Sequence, residues 1–138
     1  MWNRISCILR NSVVFSNWLE FNIKIFLVFF PLYLINRLIK AYIEFPVLGY
    51  LCQCHLNDYI GGIIFCAYLN ITIILGHRKP ILSLIPLCSI MLGVSLLWEY
   101  FFPLILPYST SDPWDVAAYM LGTLTYYIVA RRSRAYNP

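Results

Sequence analysis

Apolar residues in this chain gather into four long runs, at residues 21–39, 59–76, 81–102 and 113–130, with short polar stretches between them. Each run comes near the roughly 20 residues that an α-helix needs to cross a hydrocarbon core about 30 Å thick. A fifth apolar stretch, residues 42–54, is shorter and contains Pro46 and Gly49, so it reads as an interfacial or re-entrant connector. In residues 1–20, Trp2, Ile5, Ile8, Leu9, Val13 and Trp18 alternate with Arg and Ser, a pattern suited to an amphipathic helix on the cytoplasmic surface. The expected fold is all-α: a four-helix transmembrane bundle forming a single domain over residues 1–138, with an N-terminal amphipathic segment and a short interfacial connector.

Composition narrows the class further. At 61% hydrophobic and 12% charged residues, the chain lacks the polar surface to cover a soluble globule of its size. A cleaved signal peptide competes for the first run. That run is too long for an h-region, carries Lys24, and leads into Asn36-Arg37-Leu38-Ile39-Lys40 rather than a small-residue cleavage site. The N-terminal arginines, His77-Arg78-Lys79 and Arg131, Arg132 and Arg134 share one side of a four-span topology, and only Arg37 and Lys40 lie on the other. The positive-inside rule then places both termini in the cytoplasm. The net charge of +4 is accounted for by orientation and by contacts to anionic lipid, so no nucleic-acid partner is implied.

Prolines and small residues punctuate the runs. Pro80 is expected to start the third helix, and Pro103 and Pro107 to stiffen the outer loop; Pro31 and Pro86 fall inside spans, where each removes a backbone hydrogen bond and bends its helix. Gly61, Gly62, Gly93 and Gly122, with Ala67, Ser89 and Ala118, allow close helix packing, within one chain or in a homo-oligomer.

Five of the six acidic residues fall where alternating spans bring them to one face. Asp58 opens the second run, Glu99 closes the third, Asp112 and Asp115 open the fourth, and Glu44 lies in the loop between the first two. Asp112-Pro113-Trp114-Asp115 has the form of a helix start, with an Asp N-cap, Pro at the first helical position and a carboxylate that can reach back to the cap's N–H. Asp115, Tyr119, Gly122 and Tyr126 also form a stripe at helical spacing, directed inward. Glu99 sits at the negative end of a helix dipole among Leu96, Leu97, Phe101 and Phe102, and calls for compensation by Arg37, by Lys40, by a metal ion or by a proton. His55 and Asp58 are three residues apart and share a helix side, unless Asn57 or Asp58 serves as the cap. His55, Asp58, Glu99, Asp112, Asp115 and Tyr119 are therefore the candidate binding cluster. Asp58, Glu99 and Asp115 are the candidate ligands for a divalent cation such as Mg²⁺.

Cysteine adds little. Cys7 falls near the cytoplasmic surface, Cys66 and Cys88 read as small apolar residues in mid-membrane, and Cys52-Gln53-Cys54-His55 offers soft ligands without a second pair at zinc-site spacing. No disulfide framework is implied.

His55-Leu56-Asn57-Asp58 opening a helix, Glu99-Tyr100 closing the next, and Asp112-x-x-Asp115 followed by Tyr119 and Gly122 together resemble the VanZ-like group of small bacterial membrane proteins. The likeness covers about residues 50 to 130. Phe102 stands where that group usually has Gln, Tyr119 where it has Asn, and the loop before the aspartates lacks the usual Arg. Short members are often named magnesium-citrate secondary transporters, so the resemblance implies a carrier of a metal–citrate complex, which with four spans has to be an oligomer. A membrane-embedded hydrolase or transferase is a further alternative, with Glu99 or Asp115 as general base and His55 or a metal as electrophilic partner. The chain has no nucleophile motif, Gly-rich phosphate loop or zincin helix. The leading expectation is thus a non-enzymatic protein whose acidic and His site binds a cation or an envelope ligand at the extracytoplasmic face.

Overall fold

The computed structural model describes residues 2–42, 46–105 and 112–133, which contain helices and turns and no strand. Helix α1 (Trp2–Ile39) is followed by a 3-10 turn (Lys40–Tyr42), a short α2 (Pro46–Cys54), α3 (Leu56–Leu75) and α4 (Leu84–Leu96). A π-helical turn (Leu97–Phe101) carries α4 into α5 (Phe102–Ile105), and α6 (Pro113–Arg132) completes the order. Glu44 and Pro107 lie outside the described residues. Three segments, Phe15–Ile39, Leu56–Leu75 and Leu84–Ile105, are long and apolar enough to cross a membrane. Helix α6 matches them in length, but Asp115, Thr123, Thr125 and its tyrosines make it less apolar.

Residues 2–20 and the first run do not form separate pieces. With no Gly or Pro before Pro31, α1 continues for 38 residues. At 1.5 Å per residue it reaches roughly 57 Å, about twice the hydrocarbon thickness. An i,i+4 ion pair of Lys24 with Glu20, 2.6 Å, lies on its exposed side.

Two further boundaries differ from expectation. The third helix begins at Leu84 rather than at Pro80, because Asn70 of α3 holds Ile81 outside a helix: its Oδ1 accepts from the Ile81 N–H at 2.7 Å and its Nδ2 donates to the Ile81 carbonyl at 3.2 Å. Pro86 consequently falls in the first turn of α4, where a missing N–H costs no bond. Pro103 lies within α5, not in a loop. At the end of α3, His77 takes the left-handed position with φ 55°, and Arg78 N–H returns to the Ile73 carbonyl at 3.0 Å, closing the helix as a Schellman turn.

Helix α3 packs against α1 on one side and α6 on the other, and α6 also packs against α4. Helices α3 and α6 run parallel, since His55 meets Asp115, Gly62 meets Tyr119, Cys66 reaches Thr123 and Asn70 reaches Tyr126, the positions on both helices advancing together. At their crossing the backbones touch. A Cβ on Gly62 would collide with the Tyr119 carbonyl, and one on Gly122 with the Tyr59 carbonyl. Of the small residues singled out, Gly93 plays no such part, because a Cβ there meets nothing within 4 Å.

Deeper in the packing, a chain of side-chain hydrogen bonds ties three helices together. Asn22 Nδ2 donates to the Trp18 carbonyl at 2.7 Å, Tyr126 Oη donates to Asn22 Oδ1 at 2.6 Å, and Asn70 Nδ2 donates to Tyr126 Oη at 2.8 Å. All three residues are buried among Trp18, Ile63, Cys66, Ala67 and Leu87. In a dry interior each polar atom needs a partner, and no buried side-chain N or O among the described residues lacks one. The outward faces show the reverse chemistry, with Leu38, Ile85 and Leu104 each more than 70% exposed, the pattern of a surface met by lipid.

Two measurements check this packing. Gly122→Ala is expected to lower stability by about 2 kcal/mol, because the added methyl group meets backbone that cannot swing aside, whereas Gly93→Ala should leave the thermal midpoint of the detergent-solubilised protein unchanged or slightly raised. Tyr126→Phe keeps the ring and strands the Asn22 and Asn70 groups; the expected loss is about 1–2 kcal/mol, read in the same unfolding assay.

Candidate functional site

Parallel α3 and α6 start at the same end of the molecule, and α4 closes there, so the acidic positions of three helices meet. His55 Nδ1 lies 2.8 Å from Asp115 Oδ1, a contact between residues 60 apart in sequence, with both side chains mostly buried. The ring of Tyr50 packs edge-on against the imidazole at 5.6 Å and fixes its plane.

Local chain geometry explains why these groups are available. His55 stands at the junction of α2 and α3, where its N–H bonds the Leu51 carbonyl at 3.0 Å and its own carbonyl accepts from Tyr59 N–H at 3.0 Å. His55 thus links the last turn of α2 to the first turn of α3 as its N-cap, and neither Asn57 nor Asp58 caps it. Asn57 Oδ1 instead accepts from Asn36 Nδ2 at 2.8 Å, and the same amide of Asn36 donates to the Cys52 carbonyl at 2.9 Å, clamping the end of α1 onto the junction. Asn36 was not among the expected site residues; its signal was a polar amide within an otherwise apolar run.

Asp112 is the N-cap of α6 as its sequence context indicates. Its backbone is extended, its Oδ1 accepts from the Trp114 N–H at 2.9 Å, and Pro113 follows. The second half of the expected capping box is made by another helix. The Asp112 N–H points to Glu99 Oε2, 3.4 Å away, which leaves Asp115 free to meet His55.

Glu99 is only 5% exposed because of the π turn that carries it. Pro103 has no N–H for the Glu99 carbonyl, and Phe102 N–H bonds the Leu97 carbonyl five residues back. The widened turn seats Glu99 between α4 and α6. Neither Arg37 nor Lys40 compensates it: Arg37 Nη1 approaches Tyr33 Oη at 3.5 Å, and Lys40 Nζ donates to the Gln53 carbonyl at 2.9 Å. Asp58, Asp112 and Asp115 are close enough to Glu99 to repel it.

The grouping of possible metal ligands also differs from the expected Asp58, Glu99 and Asp115. One donor atom each from His55, Asp112 and Asp115 lies within 4.8 Å of the other two, all in half-buried positions. Asp58 meets the Tyr119 phenol and also lies within hydrogen-bond reach of Asp115, but it supplies no donor to the trio. Asp58 and Tyr119 both line a pocket of about 380 Å³ that the trio does not line. Among the described cysteines Cys52, Cys54, Cys66 and Cys88 are free thiols, and none belongs to the trio.

One imidazole and two carboxylates on a partly dry surface can hold a divalent ion with borderline or oxygen preference. In the absence of one, the His–carboxylate contact is the arrangement that orients an imidazole for proton transfer. No protein-family model matches the chain, and no curated protein or solved structure matches it.

The His55–Asp115 contact is testable by a double-mutant cycle. His55→Ala and Asp115→Asn should each destabilise, and the pair by less than their sum, with a coupling of about 1–2 kcal/mol. Additive losses in unfolding experiments would show that the two side chains do not act on each other.

Proposed function

We propose that this chain is a bacterial inner-membrane protein of VanZ-like type, a four-span bundle whose His55–Asp112–Asp115 site holds a divalent cation at the extracytoplasmic face. The observation that carries this reading is the grouping of those three donors within 4.8 Å, contributed by the starts of two parallel helices. Three things support the wider assignment. Among the residues that carry the VanZ-like resemblance, His55, Glu99, Asp112 and Asp115 lie together at one end. Arg78, Lys79, Arg131 and Arg132 stand at the opposite end, which the positive-inside rule assigns to the cytoplasm. Helix α6 is long enough to act as the fourth span, its polar residues turned toward α3 and α4.

The donor set favours Mn²⁺ or Zn²⁺ over Mg²⁺, because imidazole nitrogen suits borderline ions while Mg²⁺ prefers an all-oxygen shell. Glu99 takes no direct part as a ligand; it holds the Asp112 N–H and thereby the position of the Asp112 carboxylate. In this reading the protein is a binding or accessory component rather than an enzyme. An oligomeric carrier of metal citrate needs cations facing a tricarboxylate, and the two at this end are turned to Tyr33 and to the Gln53 carbonyl. The hydrolase or transferase alternative is favoured by one contact, the 2.8 Å His55–Asp115 pair, which would serve a general base.

A Mn²⁺ titration of the purified protein in detergent, following loss of the free-ion electron paramagnetic resonance signal, tests the assignment. One saturable site is expected, weakened at least tenfold by His55→Ala and by Asp115→Asn and unaffected by replacing Cys52 and Cys54 with Ser. Binding should also weaken toward acid pH, since protons compete for the imidazole and carboxylate donors. Equal Mn²⁺ affinity in the wild type and both site variants would remove the site from consideration.

A further inference from the structure

Beside the cation site, and sharing none of its three donors, lies the pocket of about 380 Å³ enclosed by α1, α3, the π turn and α6. Its polarity is graded along the helices. Arg37, Asn57 and Asp58 line it at the level where the apolar segments Phe15–Ile39 and Leu56–Leu75 respectively end and begin. Phe30 and Ile64 line it two turns away toward the middle, seven residues before Arg37 and six after Asp58, or roughly 10 Å deeper at 1.5 Å per residue. Because α1 and α3 are antiparallel, the two polar ends coincide and so do the two apolar ends.

A cavity with a charged mouth at the boundary of the apolar zone and an apolar floor matches an amphiphile standing upright beside the helices. Its charges narrow the class. The mouth presents one guanidinium and one carboxylate, and among the described residues the ion pairs are Lys24 with Glu20 and His55 with Asp115, so Arg37 and Asp58 do not neutralise each other. The wall between them is aromatic, with Tyr33, Trp98 and Tyr119, and such rings favour a cationic group. A guanidinium recognises a phosphate, and a carboxylate flanked by aromatic rings recognises an ammonium.

We infer that this pocket binds the headgroup of a zwitterionic amino-phospholipid, with its phosphate on Arg37, its ammonium on Asp58 and Asn57, and the start of its chains over Phe30 and Ile64. The volume stands near the low end of the roughly 300–1,000 Å³ typical of small-ligand sites, room for a headgroup and glycerol while the chains stay in the bilayer. An anionic lipid leaves Asp58 facing a negative charge, and a headgroup with no phosphate leaves the Arg37 guanidinium with no anion, only its long contact to Tyr33 Oη. The pocket therefore selects between lipids that share the same chains.

Native mass spectrometry of the full chain, exchanged into detergent with phosphatidylethanolamine or phosphatidylglycerol of identical acyl composition, reads this selection. The wild type should retain phosphatidylethanolamine at least tenfold better than phosphatidylglycerol. Arg37→Ala should reduce that retention at least tenfold, the near-isosteric Asp58→Asn should erase the preference, and Ile64→Trp should block the floor. Asp112→Asn, which weakens the cation site at a residue that does not line the pocket, should leave lipid retention unchanged, so failure of one site is separable from failure of the other. Equal retention of the two lipids, or retention indifferent to both Arg37→Ala and Asp58→Asn in variants with wild-type helical circular dichroism, would overturn the inference. Binding of water-soluble phosphoethanolamine as tightly as the lipid would overturn the amphiphile assignment and leave a site for a soluble phosphate ester.

Discussion

Backbone contact between α3 and α6 at Gly62 and Gly122 is the constraint on which the rest of this molecule is arranged. Neither position tolerates a side chain, because each glycine lies against a carbonyl of the opposite helix. A helix pair in lipid gains nothing from hydrophobic exclusion of water, so close approach and polar contacts must supply the attraction. Once that crossing is set, helical periodicity carries its consequences outward. His55 and Asp115 each stand seven residues, nearly two turns, before these glycines, on the same helix faces. The pairing of an imidazole with a carboxylate 60 positions away is thus a direct result of where two glycines allow backbones to meet. Toward the other end, the same parallel register brings Cys66 to Thr123 and Asn70 to Tyr126, and Tyr126 extends the link to Asn22 of α1.

Electrostatics at the converged end then follow from a shortage of cations. Four carboxylates, those of Asp58, Glu99, Asp112 and Asp115, are gathered where water is only partly present. The groups that meet them are hydrogen-bond partners rather than lysine or arginine: the Trp114 N–H on Asp112, the Asp112 N–H on Glu99, the Tyr119 phenol on Asp58 and the His55 ring on Asp115. Arg37 and Lys40, the basic side chains nearest this end, are directed to Tyr33 and to the C-terminus of α2. Hydrogen bonds can orient carboxylates without cancelling their charge, and a bound divalent ion at the His55 trio would cancel it. Asp58 joins this group to the pocket, since it meets Asp115 on one side and lines the cavity with Tyr119 on the other.

How far the residues disclosed this arrangement depends on the range of the interaction involved. Asp112 was legible as a cap because Ser, Asp and Pro around a helix start act within three residues. The stripe of Asp115, Tyr119, Gly122 and Tyr126 was legible because one helix face is a local property. The capping box failed for a long-range reason, namely that Glu99 from another helix took the Asp112 N–H. The helix start at Pro80 failed in the same way, overridden by the side chain of Asn70, whereas a cap at Asn57 or Asp58 was displaced locally because the chain turns from α2 into α3 at His55. The π turn at Leu97–Phe101 had a local sign in Pro103 four residues after Glu99, but its effect, turning Glu99 inward, concerns packing.

By itself, the order of residues determined that this chain is helical, that long stretches of it are apolar enough to span a bilayer, and that its acidic side chains mark helix ends, since all three are set by composition and by periods of a few residues. Which of those side chains meet was decided only in three dimensions. The choice of His55, Asp112 and Asp115 as a trio, and of Asp58 with Arg37 as the walls of a pocket, depends on the rotation and register of helices far apart in sequence. Those are set by a backbone contact between two glycines, a feature that residue spacing along one helix cannot express.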